Sequence, residues 1–182
     1  MVSDQDIGKK ETELIELASF LEAHELVSGE ELSIVTATEN PDFICVRTNG
    51  GFVGIELTKV TREKHVVFWD RILHRKEEMD PFDAVYQILC LIERKDHARA
   101  ERYCKRVPEC ILVLQLVDGT LFPMRWMFDG IQNDFTVHGF SEIWLADYSG
   151  LEAFGDIELF GLFPQQWWGY HERVWPYRKP YG

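Results

Sequence analysis

Pro41-Asp42-Phe43-Ile44-Cys45-Val46-Arg47-Thr48-Asn49-Gly50-Gly51-Phe52-Val53-Gly54-Ile55-Glu56-Leu57-Thr58-Lys59 is the stretch that decides the fold. Two apolar runs, Phe43 to Arg47 and Phe52 to Leu57, flank an Asn-Gly-Gly turn, which is the strongest short-range signal of a β-hairpin. Side chains alternate along a strand, so Glu56 shares a face with Gly54 and Thr58, while Ile55, Leu57 and Lys59 point the other way. Antiparallel pairing with the strand that Asp42 opens brings the Asp42 and Glu56 carboxylates within reach of one divalent cation. A hard ion such as Mg²⁺ or Mn²⁺ takes oxygen ligands, commonly one or two carboxylates completed by waters and substrate phosphate.

Downstream, Asp80-Pro81 is a helix start, with Asp as N-cap and Pro in the first helical position. The helical pattern runs from there to about Lys105. Val85, Ile88 and Ile92 define one face, and the same spacing continues onto Lys95 and Arg99. A lysine in line with a core-facing stripe is either the solvated basic end of a helix or a cation aimed into a site.

Upstream, residues from about Lys10 to Val27 read as an amphipathic helix with Leu14, Ile15, Leu17 and Leu21 apolar, closed by Ser28-Gly29. Leu32 to Thr38 reads as a first strand. Lys64 to Glu78 reads as a further helix with Val67, Ile72 and Leu73 inward. Ile111 to Val117 is apolar almost throughout, as expected of a central strand covered on both faces. It follows a helix, so a crossover should join it to the hairpin strands in a mixed sheet with helices on both faces. Leu121 to Phe128 is read as an edge strand carrying Pro123, and Phe140 to Tyr148 and Ile157 to Phe163 as two more strands.

Pro41-Asp42 together with Gly54-Ile55-Glu56-Leu57-Thr58 resembles the motif of the PD-(D/E)XK nuclease superfamily, and the order of elements resembles it over most of the chain. The resemblance implies an α/β fold with a restriction-endonuclease-like three-layer core, a mixed β-sheet flanked by helices. It implies a metal-dependent nuclease hydrolysing phosphodiester bonds of nucleic acid, DNA first, with Mg²⁺ (or Mn²⁺) held by Asp42, Glu56 and the Leu57 carbonyl. In that superfamily a Lys two residues beyond the Glu assists the attacking water. Thr58 stands at that position here. Some members carry Glu-x-Thr and recruit a Lys from elsewhere, which makes Lys95 the candidate, or Lys59 if the strand is locally irregular, with Thr58 holding a nearby water. Members often bring an acid from the first helix to the metal, a part that Glu13 or Glu16 could play, although a Glu in a first helical turn is expected for dipole reasons alone.

The net charge of −12 argues against a polyanionic partner until its distribution is read. Residues 1–42 hold eleven acids against two lysines, a net of −9, whereas 94–106 hold six bases against two acids, a net of +4. A nucleic-acid strand should therefore meet Arg94, Arg99, Arg102 and Arg106, because binding it means neutralising phosphates. The bland alternative is a solubilised helix face.

With 182 residues the chain is long enough for one domain, read as 1–164, and its 46% hydrophobic content is that of a folded protein. Residues 165–182 form an aromatic and basic arm, suited first to packing or to a homodimer contact and second to base stacking. No apolar run approaches the roughly 20 residues of a membrane span. Met1 to Asp6 lacks a basic region followed by an apolar one, so no membrane partner and a cytoplasmic location are expected. Cys45, Cys90, Cys104 and Cys110 lack zinc-site spacing, and Cys45 and Cys90 are expected to be buried. Metalloprotease histidine pairs, nucleophile motifs, a phosphate loop and a dinucleotide fingerprint are absent. The alternative to an enzyme is a catalytically inactive nuclease-fold protein that binds or regulates another protein through its acidic quarter. An ordinary α/β domain with a coincidental Pro-Asp turn is the third reading.

Overall fold

The computed structural model describes residues 4–60, 81–102, 107–117, 121, 124–133, 135–137, 139–151 and 155–171. The chain begins with helix α1 (Asp4–Ser28) and strands β1 (Leu32–Ala37), β2 (Phe43–Arg47) and β3 (Phe52–Val60). Helix α2 (Pro81–Arg102), strand β4 (Glu109–Leu116) and helix α3 (Arg125–Ile131) follow, then β5 (Glu142–Asp147), β6 (Glu158–Phe163) and β7 (Gly169–His171). The seven strands form one mixed sheet in the order β1-β2-β3-β4-β5-β6-β7. Neighbours are antiparallel except in the centre, where β3, β4 and β5 are mutually parallel.

The hairpin forms as its turn demands. Gly50 takes φ 84°, in the left-handed region that glycine enters freely, and Arg47 exchanges bonds with Gly50 and Gly51 at 2.9 and 2.8 Å. Pairing runs from Val46↔Phe52 to Phe43↔Ile55. β4 lies in the middle of the sheet and is buried from Cys110 to Leu116. Its Ile111 and Val113 pack with Phe43, Val53, Ile55 and Trp144 under Leu17 and Phe20 of α1. On the other face, Leu112 and Leu114 pack with Val85, Ile88 and Ile92 of α2 and Phe128 of α3. The result is three layers: helix, sheet, helices. Each such fully buried aliphatic side chain stabilises the fold by about 1.5–3 kcal/mol.

Several expectations are corrected. Leu14 and Ile15 of α1 are 41% and 63% exposed, because the inward face runs through Glu13, Glu16, Leu17, Phe20 and His24. Two of its polar members are held by distant partners: Glu16 accepts from Gln115 Nε2 at 3.1 Å, and His24 Nε2 lies 2.9 Å from Glu142 Oε2. The described residues of the stretch Leu121 to Phe128 form a turn and a helix instead of a strand. Leu121, Met124 and Phe128 are buried at helical spacings of three and four, and the chain turns at Leu121 into α3. Cys45 is buried as expected, but Cys90 lies on the exposed side of α2. The arm expected from residue 165 begins as part of the sheet: β7 pairs with β6, and Trp167 and Trp168 pack on Trp144 and Phe160. The Lys64–Glu78 helix and the Asp80 cap lie outside the described residues. No helix among the described residues is long and apolar enough to cross a membrane.

Candidate metal and phosphate site

β3 outruns β2. Their pairing stops at Phe43↔Ile55, whereas β3 stays paired with β4 as far as Val60↔Leu116. Past Ile55 no described strand pairs with the β2 side of β3, which among the described residues leaves a notch, and Asp42, one residue ahead of β2, stands at its mouth. Asp42 Oδ2 accepts the Leu57 N–H at 2.8 Å. The N–H and C=O of one strand residue point to the same edge, so the Leu57 carbonyl opens on this notch as well.

Glu56 reaches the notch from the α2 face. It is buried, and its Oε1 lies 2.6 Å from Lys95 Nζ. Thr58 follows on the same face. Glu56 Oε2 and the Thr58 hydroxyl are both buried without a hydrogen-bond partner among the described residues. Leaving one such atom unsatisfied costs about 1–3 kcal/mol, so these two on one face of β3 are where, among the described residues, a further polar partner is wanted. They are the hard oxygens that Mg²⁺ or Mn²⁺ takes, and in that sense the residues fit the ion. Among the described residues no three His, Cys, Asp or Glu side chains converge as a complete ligand set. Two carboxylates with room for water and phosphate is the arrangement Mg²⁺ commonly uses.

Burial first, and then the neighbouring Glu56 charge, push the Asp42 carboxyl from its ordinary 3.8 up to about 6, against the pull of the Leu57 N–H. Glu13 adds to the rise and Lys10 counters it, so both side chains of α1 act on Asp42 from the opposite face. Cys110 lies beneath the site against Gly54, and burial holds its thiol up at about 12, which removes it as a nucleophile.

Other expected residues fall elsewhere. Lys59 lies on the α1 face, 2.7 Å from Glu16 Oε1, and β3 is regular there, so Lys59 is not Glu56's partner. Arg99 is corrected from a nucleic-acid contact to an internal anchor. It is 2% exposed and donates to the carbonyls of Gly139, Val107 and Pro108, with its guanidinium 5.6 Å from the centre of the Phe140 ring. The stripe that aims Lys95 inward carries Arg99 inward too, one turn later. Arg94 is exposed, Arg102 ends α2, and Arg106 lies outside the described residues.

Sequence reasoning missed how Asp42 is seated. A Cβ on Gly54 would come 2.5 Å from Pro41 Cγ and 3.3 Å from Cys110 Sγ, so only glycine lets Pro41 lie on β3 and bring Asp42 to Leu57. Gly54 two positions before Glu56 was the available signal. Comparison of the chain with protein-family models, with curated proteins and with solved structures gives no match.

Proposed function

We propose that the chain is a metal-dependent nuclease of the PD-(D/E)XK kind with a restriction-endonuclease-like core, hydrolysing phosphodiester bonds of nucleic acid, DNA foremost, with Mg²⁺ or Mn²⁺. The observation that carries this reading is the 2.6 Å contact of Lys95 with Glu56. It supplies from a helix the ammonium that β3 lacks at Thr58. Asp42 and Glu56 would hold the ion, beside the Leu57 carbonyl, with Glu13 approaching from α1. A divalent ion so bound polarises the phosphate and acidifies a water. Lys95 orients the attacking water and offsets the charge that builds on the phosphate. The Leu57 N–H fixes the rotamer of Asp42, and the unpartnered Thr58 hydroxyl offers a hydrogen bond to water on the same face.

The test is calorimetric titration of Mn²⁺ and Mg²⁺ into the wild type and the Asp42→Ala/Glu56→Ala double variant, with cleavage of supercoiled and single-stranded DNA followed in parallel. Binding and cleavage lost together in the variant support the nuclease. No binding to the wild type ends that reading and favours a second one, an inactive nuclease fold that binds a basic protein. The observation behind the second is that Lys95 already compensates Glu56 from within a chain whose residues 1–42 carry a net charge of −9.

A further inference from the structure

We propose that Lys10 is a second phosphate-binding lysine of this site, meeting the nucleic-acid backbone from the α1 side of the notch while Lys95 works from the α2 side. The inference rests on the nuclease reading and extends it. Lys10 Nζ lies 2.9 Å from Glu13 Oε2, 3.5 Å from the Thr38 carbonyl oxygen and 5.5 Å from the centre of the Phe43 ring. Thr38 and Phe43 bracket Asp42. The Thr38 N–H donates to the Asp42 carbonyl at 2.7 Å, its hydroxyl donates to the Pro41 carbonyl, and Phe43 follows Asp42 directly. The ammonium therefore sits on the loop that carries the metal-site aspartate.

A structural role explains only part of this placement. An (i, i+3) pair on a helix is a weak interaction and needs no third partner. Lys10 also reaches across to a different element, at the Thr38 carbonyl and the Phe43 ring on either side of Asp42. Its side chain is 42% exposed and that of Glu13 17%, so the cation lies outside the carboxylate, where an arriving polyanion meets it first. Residues 1–42 hold only two lysines among eleven acids, and a lysine at the notch offsets the repulsion this quarter imposes on phosphate. Each side of the notch thus carries an ammonium resting on a glutamate, Lys10 on Glu13 and Lys95 on Glu56, ready to turn to phosphate when an ion takes over the carboxylates.

The experiment measures binding of fluorescent mixed-sequence oligonucleotides, single-stranded and duplex, across a salt series with Ca²⁺ present, for the wild type, Lys10→Gln and Lys10→Arg. Cleavage with Mn²⁺ and thermal midpoints are recorded alongside. Losing one phosphate contact should lower the slope of log affinity against log salt by about 0.7–0.9, which weakens binding about five- to eightfold near 0.1 M salt. Lys10→Arg should restore both, because it keeps the charge. A wild type that binds and cleaves while Lys10→Gln keeps its slope and affinity overturns the role of Lys10 and leaves the nuclease standing. So does an affinity loss that tracks a lowered midpoint and is not recovered by Lys10→Arg. A wild type that neither binds nor cleaves either oligonucleotide overturns both.

Discussion

Lys95 Nζ rests 2.6 Å from Glu56 Oε1, so a helix places an ammonium beside the glutamate, while Thr58 stands two residues after it on β3. Thr58 shares the face of Glu56, and a lysine placed there would reach toward the same carboxylate. On the proposed nuclease reading, Lys95→Met should lower cleavage by about 10²–10³. Adding Thr58→Lys to Lys95→Met should recover a measurable part of it, read as single-turnover rates with Mn²⁺. A double variant as inert as Lys95→Met would show that the position of the ammonium on α2, and not its charge beside Glu56, is what counts.

Asp42 titrates near 6 in the folded chain, above its ordinary 3.8. Its folded pKa is raised, so the folded state holds the proton longer than the unfolded one. The stabilisation is complete below about pH 4 and is lost as pH rises through 6. Asp42→Asn keeps an acceptor for the Leu57 N–H and removes the charge. It should therefore raise the thermal midpoint at pH 7.5 while changing little at pH 4. For the same reason Mn²⁺ affinity of the wild type should climb between pH 5 and 7, since the ion must displace that proton. Calorimetry across this range checks both.

Glu142 has the opposite sign. Burial works to raise its pKa, but bonds from His24, Trp144 and Arg47 prevail and hold it below its ordinary 4.5. Its contribution to stability is present above 4.5 and is lost as pH falls through the lowered value. Glu142→Gln should cost about 1–3 kcal/mol at pH 7 in denaturant unfolding. The difference from wild type should shrink as both proteins are acidified.

Gly54→Ala puts a methyl 2.5 Å from Pro41 Cγ, against a buried proline on one side and Cys110 on the other. Overpacking of this kind costs about 1–3 kcal/mol. Pro41 precedes Asp42, so the variant should lose metal affinity by more than its stability loss predicts. Melting curves and a Mn²⁺ titration on the same sample separate the two effects.

What could be read in advance was local. Asn49-Gly50-Gly51 specifies its own turn, the apolar run at 111–117 fits a strand covered on both faces, and the spacing of Val85, Ile88 and Ile92 carries the eye to Lys95 beside Glu56. What could not be read depends on partners far along the chain. Glu16 and His24 face inward on α1 only because Gln115 and Glu142 meet them there, so a stripe scored by hydrophobicity rotates toward Leu14 and Ile15. Arg99 looks like a surface base until the carbonyls of Gly139, Val107 and Pro108 surround it. Short apolar stretches such as 121–128 satisfy strand and helix alike, and packing decides between them. Lys10 left its only trace in its spacing to Glu13.

The overrun of β3 past β2 also sets how the site would come apart. Asp42 belongs to the outer part of the sheet with β1 and β2, whereas Glu56 is paired to β4 and faced by α2. A fluctuation that lifts only the outer strands separates the two carboxylates while the parallel centre stays closed. Competence at the notch would thus be lost at a lower free energy than global unfolding. An ion or a phosphate strand bridging the two carboxylates would act as a clasp on that edge, so ligand binding would show most clearly as slowed amide exchange in Phe43 to Arg47.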